Sequence, residues 1–132
     1  MRVVLDTNVF VAAGFNPRSS AMRIIEAVRQ GVLALVWDAA TRAETQAIIE
    51  QIPPLNWAQF ADLFDPANEV RGLLNLDAFE QIPDPDDRKF AALAAAAEAV
   101  LVSNDAHLLA LRDALPIAIR TPQELARALP DS

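Results

Sequence analysis

Cysteine is absent from this 132-residue sequence, and histidine occurs only once. Without cysteine the chain forms no disulfide, no cysteine zinc site and no thiol nucleophile, which is consistent with a reducing compartment. A Ser-His-Asp hydrolase is disfavoured because His107 is the single histidine and no nucleophile elbow is present. The three glycines do not form a phosphate-binding Walker loop.

Long apolar runs are also missing. The longest alanine-rich run, residues 90–97, is far too short to span a bilayer, and residues 1–5 contain no basic leader or cleavage site. Hydrophobic residues nevertheless make up 53% of the chain, which excludes a disordered protein. These features predict a single domain over residues 1–132, in a cytoplasmic protein with no membrane segment.

The net charge is −7. A passive nucleic-acid binder usually carries a basic stripe, so the charge weighs against that class of protein. It weighs less against metal-dependent chemistry on a nucleic acid, because bound divalent cations neutralise an acidic cleft. An ordinary solubility balance remains the simplest interpretation of the charge alone.

Four short apolar runs alternate with helical patterns. The runs lie at residues 3–5, 34–37, 100–102 and 117–119. Uninterrupted apolar runs are typical of parallel strands buried on both faces, and the alternation favours an α/β fold.

Capping and periodicity signals place the helices. Asp38 is a candidate N-cap, Asp86 or Asp87 opens a later helix, and Thr121 with Glu124 has capping-box spacing. Helices are therefore predicted at residues 21–28, about 38–50, 57–64, about 86–97 and from 121 onward, with a short helix and an irregular strand at 65–83.

Asp6 and Asp105 directly follow the first and third apolar runs. Ligands of open parallel sheets bind outside the carboxyl ends of the strands, so these two acids converge if their strands are neighbours. The alternative is that each aspartate only caps the helix that follows it.

Glu44 lies on the helix that follows Asp38. Helical spacing puts it on one face with Ala40, Ala47 and Ile48. We expect this apolar face to point inward, where a carboxylate is costly unless it is paired or binds a metal.

Asp87 is the fourth candidate acid. It shares a helical face with Phe90, Ala91 and Ala94, and the helical phase favours it over Asp86, while Asp84 is a second nearby competitor. The alternative is a favourable charge in the first helical turn, and a share of the role for Asp84 or Asp86 stays open.

Several carboxylates in one cleft repel each other, and a divalent cation resolves that conflict. Oxygen ligands with no cysteine favour Mg²⁺ or Mn²⁺ over zinc. Such a metal activates a water and neutralises a phosphate, so the protein needs no nucleophile of its own.

Four segments together resemble the motifs of the PIN-domain family, in its bacterial VapC-type toxin branch. They are LDTNVF at residues 5–10, DPDDRKF at 84–90, SNDAHLL at 103–109 and TPQEL at 121–125. The resemblance implies a three-layer α/β/α sandwich around a mostly parallel four- to five-stranded sheet. It also implies metal-dependent cleavage of single-stranded or loop RNA that leaves a 5′-phosphate and a 3′-hydroxyl.

The resemblance also implies roles and partners. It makes Asp6, Glu44, Asp87 and Asp105 the catalytic and metal-binding acids. Asn8 resembles a residue that orders Asp6, and Ser103 is expected to do the same for Asp105. A small antitoxin and a homodimer are the implied protein partners.

Three basic residues lie within these motifs. His107 stands where relatives often have another acid, which puts a second metal in doubt, and it is expected at the surface or behind the metal ligands. Arg88 and Lys89 either contact phosphate or, as the simpler interpretation, lie on a solvated helix face.

Two other functions remain open. The first is a catalytically silent PIN-fold module that binds RNA or protein, because an acid is missing at His107. The second is a different α/β phosphohydrolase that uses Asp6 as its nucleophile, although such enzymes require a second acid two residues after the nucleophile, where this chain has Asn8.

Overall fold

The computed structural model describes residues 1–130. Its strands are β1 (Arg2–Leu5), β2 (Ala34–Leu35), β3 (Val100–Val102) and β4 (Ile119–Arg120). Its helices are α1 (Thr7–Phe15), α2 (Ser20–Arg29), α3 (Ala39–Glu50), α4 (Pro85–Ala97), α5 (Ala106–Ala110) and α6 (Pro122–Ala128). Short 3₁₀ turns span Trp57–Gln59, Ala61–Leu63, Pro66–Asn68 and Asp77–Phe79. Residues 131 and 132 of the predicted domain lie outside the described part, and the single domain stays a prediction.

The four strands form one parallel sheet in the order β2-β1-β3-β4. Trp37 and Glu69 add an isolated parallel bridge beyond β2. This confirms the predicted parallel sheet, and the bridge accounts for the irregular strand expected within residues 65–83. Because β1 and β3 are neighbours, their carboxyl ends meet at the centre of one sheet edge.

Helices cover both faces of the sheet, which confirms the α/β/α sandwich. Side chains of β1 alternate between two buried clusters: Val3 and Leu5 join the cluster that contains Phe10 and α2, and Val4 joins the cluster formed mainly by α4. This burial on both faces explains why the strands are uninterrupted apolar runs. Within residues 1–130, no helix has the length and apolar character needed to cross a bilayer.

Two predicted helix starts are confirmed by their hydrogen bonds. The Asp38 side chain accepts from the Thr41 N–H at 2.9 Å, while the Thr41 hydroxyl accepts from the Asp38 N–H at 3.2 Å. Thr121 and Glu124 make the same reciprocal pair at the start of α6, at 3.0 and 2.9 Å. Each pair satisfies amide groups that the first helical turn leaves free.

Several predicted boundaries were wrong. The cap of α4 is Asp84, not Asp86 or Asp87, because Pro85 suits the first helical position and the Asp84 carboxylate accepts the Asp86 N–H at 2.9 Å. The helix predicted at 57–64 is two 3₁₀ turns, which are interrupted at Phe60. Tertiary packing explains the break, because Phe60 packs edge-on against Phe10 with 5.5 Å between ring centroids.

The outer strands are shorter or shifted relative to the apolar runs. β2 covers only Ala34–Leu35, since Trp37 turns away from β1 to bridge Glu69. β4 begins at Ile119, two residues after the start of its apolar run at Ile117. Pairing with a neighbour decides a strand's ends, and hydrophobicity alone does not report that pairing.

Candidate functional site

The centre of the site is the junction between the carboxyl ends of β1 and β3. Asp6 leaves β1 and is only 6% exposed. Its Oδ1 accepts the Asn8 N–H at 3.3 Å, and its Oδ2 accepts the Ser103 hydroxyl at 2.7 Å. The Ser103 oxygen also accepts the Asp105 N–H at 2.9 Å. One buried hydroxyl therefore connects both aspartates.

Asp105 is the N-cap of α5. Its Oδ1 accepts the backbone N–H groups of His107 and Leu108, at 2.8 and 3.2 Å. Asp6 likewise caps α1. The capping interpretation and the shared-site interpretation are thus both correct, since each helix starts at the sheet edge where the acids meet.

Asp87 faces this pair from the first turn of α4. It is half-buried, whereas Asp84 and Asp86 are exposed, and the helix buries Phe90 and Ala94 on the face that includes Asp87. The helical phase therefore identified the inward aspartate among the three.

Crowding raises the pKa of Asp87 to about 6. Burial is the largest cause, and the negative charges of Asp6, Asp105, Asp84 and Glu44 add to it in that order. The pKa of Asp6 is also raised, first by burial and then by Asp105, against the lowering effect of its hydrogen bonds. Asp6, Asp105 and Glu44 therefore all contribute to the electrostatic environment of Asp87.

Glu44 belongs to this environment for a different reason from the one predicted. The buried face of α3 carries Thr41, Thr45 and Ile49, while Ala40 and Ala47 are exposed, so the predicted inward face was wrong. Glu44 lies on the flank of α3 nearest α4, and its Oε1 is 2.6 Å from Lys89 Nζ.

The donor chemistry of the site fits a hard divalent cation. Asp6, Asp87, Asp105 and Glu44 offer only carboxylate oxygens, and the repulsion that raises the pKa of Asp87 is what a cation would relieve. Among residues 1–130, no group of three or more acidic or histidine side chains is arranged so that it could hold a metal ion. In this arrangement Glu44 pairs with Lys89, and the Oδ1 atoms of Asp6 and Asp105 accept backbone N–H groups.

The comparisons with known proteins agree with this arrangement. A family model described as "PIN domain" matches residues 2–107. The chain belongs to the PIN-domain family. No match was found among curated proteins.

Two solved structures of PIN-like fold show the extent of the likeness. One is the structure of VapBC2 from Rickettsia felis bound to a DNA fragment from their promoter, with 17% identity, a TM-score of 0.57, and coverage of 92% of this chain and 98% of that one. The other is the structure of FitAB bound to the IR36 DNA fragment, with 15% identity, a TM-score of 0.61, and coverage of 91% and 94%. At these identities the likeness concerns the fold.

Asn8 and Ser103, the residues expected to support the acids of this PIN domain, both contact those acids. Asn8 contacts Asp6 through its backbone N–H rather than its exposed side chain. Ser103 donates to Asp6 and accepts from the backbone of Asp105, so its hydroxyl orders the Asp6 carboxylate. His107 is exposed as expected, with Nδ1 3.8 Å from Asp105 Oδ1.

The two basic residues after Asp87 are not on a solvated face. Arg88 donates to the backbone carbonyls of Ile82 at 3.0 Å and Glu80 at 3.3 Å, which joins α4 to the preceding loop. Lys89 has a side chain only 23% exposed and pairs with Glu44. Sequence reasoning missed this ion pair because it joins two helices whose packing has no local signature.

A second missed feature is the buried pair Thr7 and Thr45. Their hydroxyls are 2.9 Å apart and connect α1 to α3 next to Asp6. The sequence spacing could have predicted that Thr45 is buried. Thr41, Thr45 and Ile49 lie at i, i+4 and i+8, and these positions form the buried face of α3.

Proposed function

We propose that this PIN-domain protein is an Mg²⁺- or Mn²⁺-dependent endoribonuclease that cleaves single-stranded or loop RNA in the cytoplasm. The observation that supports it best is the Asp87 carboxyl, whose pKa is raised to about 6 by burial and by Asp6, Asp105, Asp84 and Glu44. A cluster of carboxylates this crowded calls for a counter-cation, and a phosphodiester needs the same cation.

Asp6, Asp87 and Asp105 would hold the metal, with Glu44 as the fourth ligand. When bound, the metal activates a water and neutralises charge on the scissile phosphate. Ser103 holds Oδ2 of Asp6, and backbone N–H groups hold Oδ1 of Asp6 and Asp105, so these carboxylates are oriented in advance. Asp87 would bind as the carboxylate and release any proton it carries near its pKa.

The decisive experiment is a cleavage assay on single-stranded RNA with purified protein. We expect cleavage with Mg²⁺ or Mn²⁺, none with EDTA, and recovery when metal is added back. Asp6→Asn should abolish activity, while Asp113→Asn, at an exposed aspartate, should not. Full activity of the Asp6 variant, or cleavage that persists in EDTA, would refute the proposed site.

We further propose that the protein is the toxin of a toxin–antitoxin pair and a homodimer. Support comes from the fold shared with chains of the VapBC2 and FitAB structures. Expression should arrest growth, co-expression with a small protein encoded next to it should restore growth, and the free protein should sediment as a dimer. Harmless expression of an active nuclease would contradict the toxin role, and a monomeric sedimentation coefficient would contradict the dimer.

A silent binding module is the second candidate, and one observation favours it: Glu44 already has a partner in Lys89. Retained RNA affinity with no cleavage in any metal would identify this case. The phosphohydrolase that uses Asp6 as nucleophile is disfavoured, because the Asp6 carboxylate is buried and both of its oxygens accept hydrogen bonds. A phosphoryl adduct trapped on Asp6 would restore that alternative.

A further inference from the structure

Lys89 lies two residues after Asp87 on α4 and points across to α3. Its Nζ is 2.6 Å from Glu44 Oε1, and the exposed fractions of the two side chains are 23% and 19%. The proposed metal site has no role for this lysine. The pair is more shielded from water than an ordinary surface ion pair, so it constrains where the Glu44 carboxylate sits.

The helices that carry the pair are held in place by other contacts. The Thr45 hydroxyl anchors α3 to Thr7 on α1, and the Arg88 guanidinium anchors the first turn of α4 to the carbonyls of Glu80 and Ile82. We therefore expect the Glu44–Lys89 contact to change by rotation of the two side chains rather than by movement of the helices.

The charges around the pair set up a competition. The contact with Lys89 brings the Glu44 carboxylate against α4, two residues from Asp87, and the Glu44 charge is the last of the named causes that raise the pKa of Asp87. The Oε1 atom of Glu44 is nevertheless engaged by Lys89. A divalent cation among the aspartates would attract the Glu44 carboxylate and repel the Lys89 ammonium.

We propose that Lys89 is a positioning residue that holds Glu44 away from Asp6, Asp87 and Asp105 until a divalent cation displaces it. The inference rests on the proposed metal-dependent function and adds a step to it. The three aspartates would hold the cation first, and Glu44 would become a ligand once its ion pair with Lys89 is broken. Lys89 thus lowers the metal affinity and stabilises the metal-free protein.

Binding of Mn²⁺, measured by titration calorimetry without RNA, tests this. Lys89→Met keeps the length of the side chain and removes its charge, so we expect its affinity for Mn²⁺ to rise about two- to fivefold. Its thermal midpoint in EDTA should fall below that of the wild type, and saturating Mn²⁺ should narrow the gap. Lys89→Arg keeps the charge and should behave like the wild type.

A double-mutant cycle with Glu44→Gln separates positioning from simple charge repulsion. If Lys89 acts through Glu44, Lys89→Met should raise the Mn²⁺ affinity of Glu44→Gln clearly less than it raises that of the wild type, because only the direct repulsion between Lys89 and the cation remains. An equal gain in both backgrounds, or unchanged or weaker affinity in Lys89→Met alone, would overturn the inference.

Failure of the inference can be told apart from failure of the proposed function. Wild-type protein that binds no Mn²⁺ in the titration refutes the metal site and the positioning role together. Wild-type protein that binds Mn²⁺ with an affinity insensitive to Lys89→Met refutes the positioning role alone.

Discussion

The hydroxyl of Ser103 donates a 2.7 Å hydrogen bond to Oδ2 of Asp6, a residue 97 positions earlier in the chain. The contact spans the ends of two neighbouring strands, β1 and β3. The same oxygen accepts the Asp105 N–H. Ser103, which is fully buried, therefore fixes the positions of two acids of the site relative to each other.

We expect Ser103→Ala to destabilise the protein by about 2 kcal/mol at neutral pH, because a buried carboxylate loses a charged hydrogen bond and an amide loses its acceptor. Urea denaturation would measure the change. Ser20→Ala, at a half-buried serine in the first turn of α2, is the control and should cost much less. Equal effects of the two substitutions would show that the Ser103 contact is unimportant.

The Asp87 carboxyl makes stability depend on pH. Its pKa is about 6 in the folded protein and usually 3.8, so the folded state binds the proton more tightly. Well below pH 4 the Asp87 carboxyl is protonated in both the folded and the unfolded protein, so it does not lower the free energy of unfolding. In the metal-free protein the free energy of unfolding decreases as the pH rises from about 4 to about 6.

Asp87→Asn removes that cost. In EDTA at pH 7 to 8 we expect it to be more stable than the wild type by about 1 kcal/mol, a figure reduced from the full linkage value for solvent screening. The gain should vanish near pH 3.5 in denaturation curves. Asp86→Asn, at the exposed neighbour, should show no such gain, and a pH-independent effect of Asp87→Asn would contradict the crowding.

The hydroxyl pair of Thr7 and Thr45 predicts a non-additive cycle. Both side chains are buried, and their oxygens are 2.9 Å apart. Thr7→Val or Thr45→Val alone leaves one hydroxyl unpaired, and each should cost about 1–3 kcal/mol by urea denaturation. The double variant replaces both partners with isosteric apolar groups, so it should cost clearly less than the sum. Simple additivity would mean that the hydroxyls do not interact.

Glu98 ends α4 in a left-handed conformation, with φ 52° and ψ 45°. Glycine adopts this conformation without the steric cost of a Cβ atom, although it loses more entropy on folding. We expect Glu98→Gly to raise stability by about 0.5 kcal/mol, detectable as a higher thermal midpoint, because the steric cost of the left-handed conformation exceeds the entropy that glycine loses on folding. Glu98→Ala, which keeps the Cβ atom, should bring no gain, and equal midpoints for the Gly and Ala variants would contradict the argument.

Local signals in the sequence were enough for the parts of the fold that depend on neighbouring residues. Asp38, Thr121 and Glu124 form the predicted capping bonds, and β3 matches its apolar run. The same signals misplaced features set by distant contacts. Phe60 breaks a predicted helix to pack against Phe10, and Trp37 leaves the predicted strand to bridge Glu69.

By itself, the sequence determined the α/β class, the parallel sheet, the family and the choice of Asp87 over Asp86. Strand burial, motif order and helical phase can all be recognised from residues that are close together in the chain. Only the tertiary structure decided that Ser103 donates a hydrogen bond to Asp6, that Glu44 lies on a flank of α3, and that Lys89 forms an ion pair with Glu44. The physical reason is that these contacts depend on how β1 meets β3 and how α3 packs on α4. Such relations join residues far apart in the chain and leave no periodicity in it.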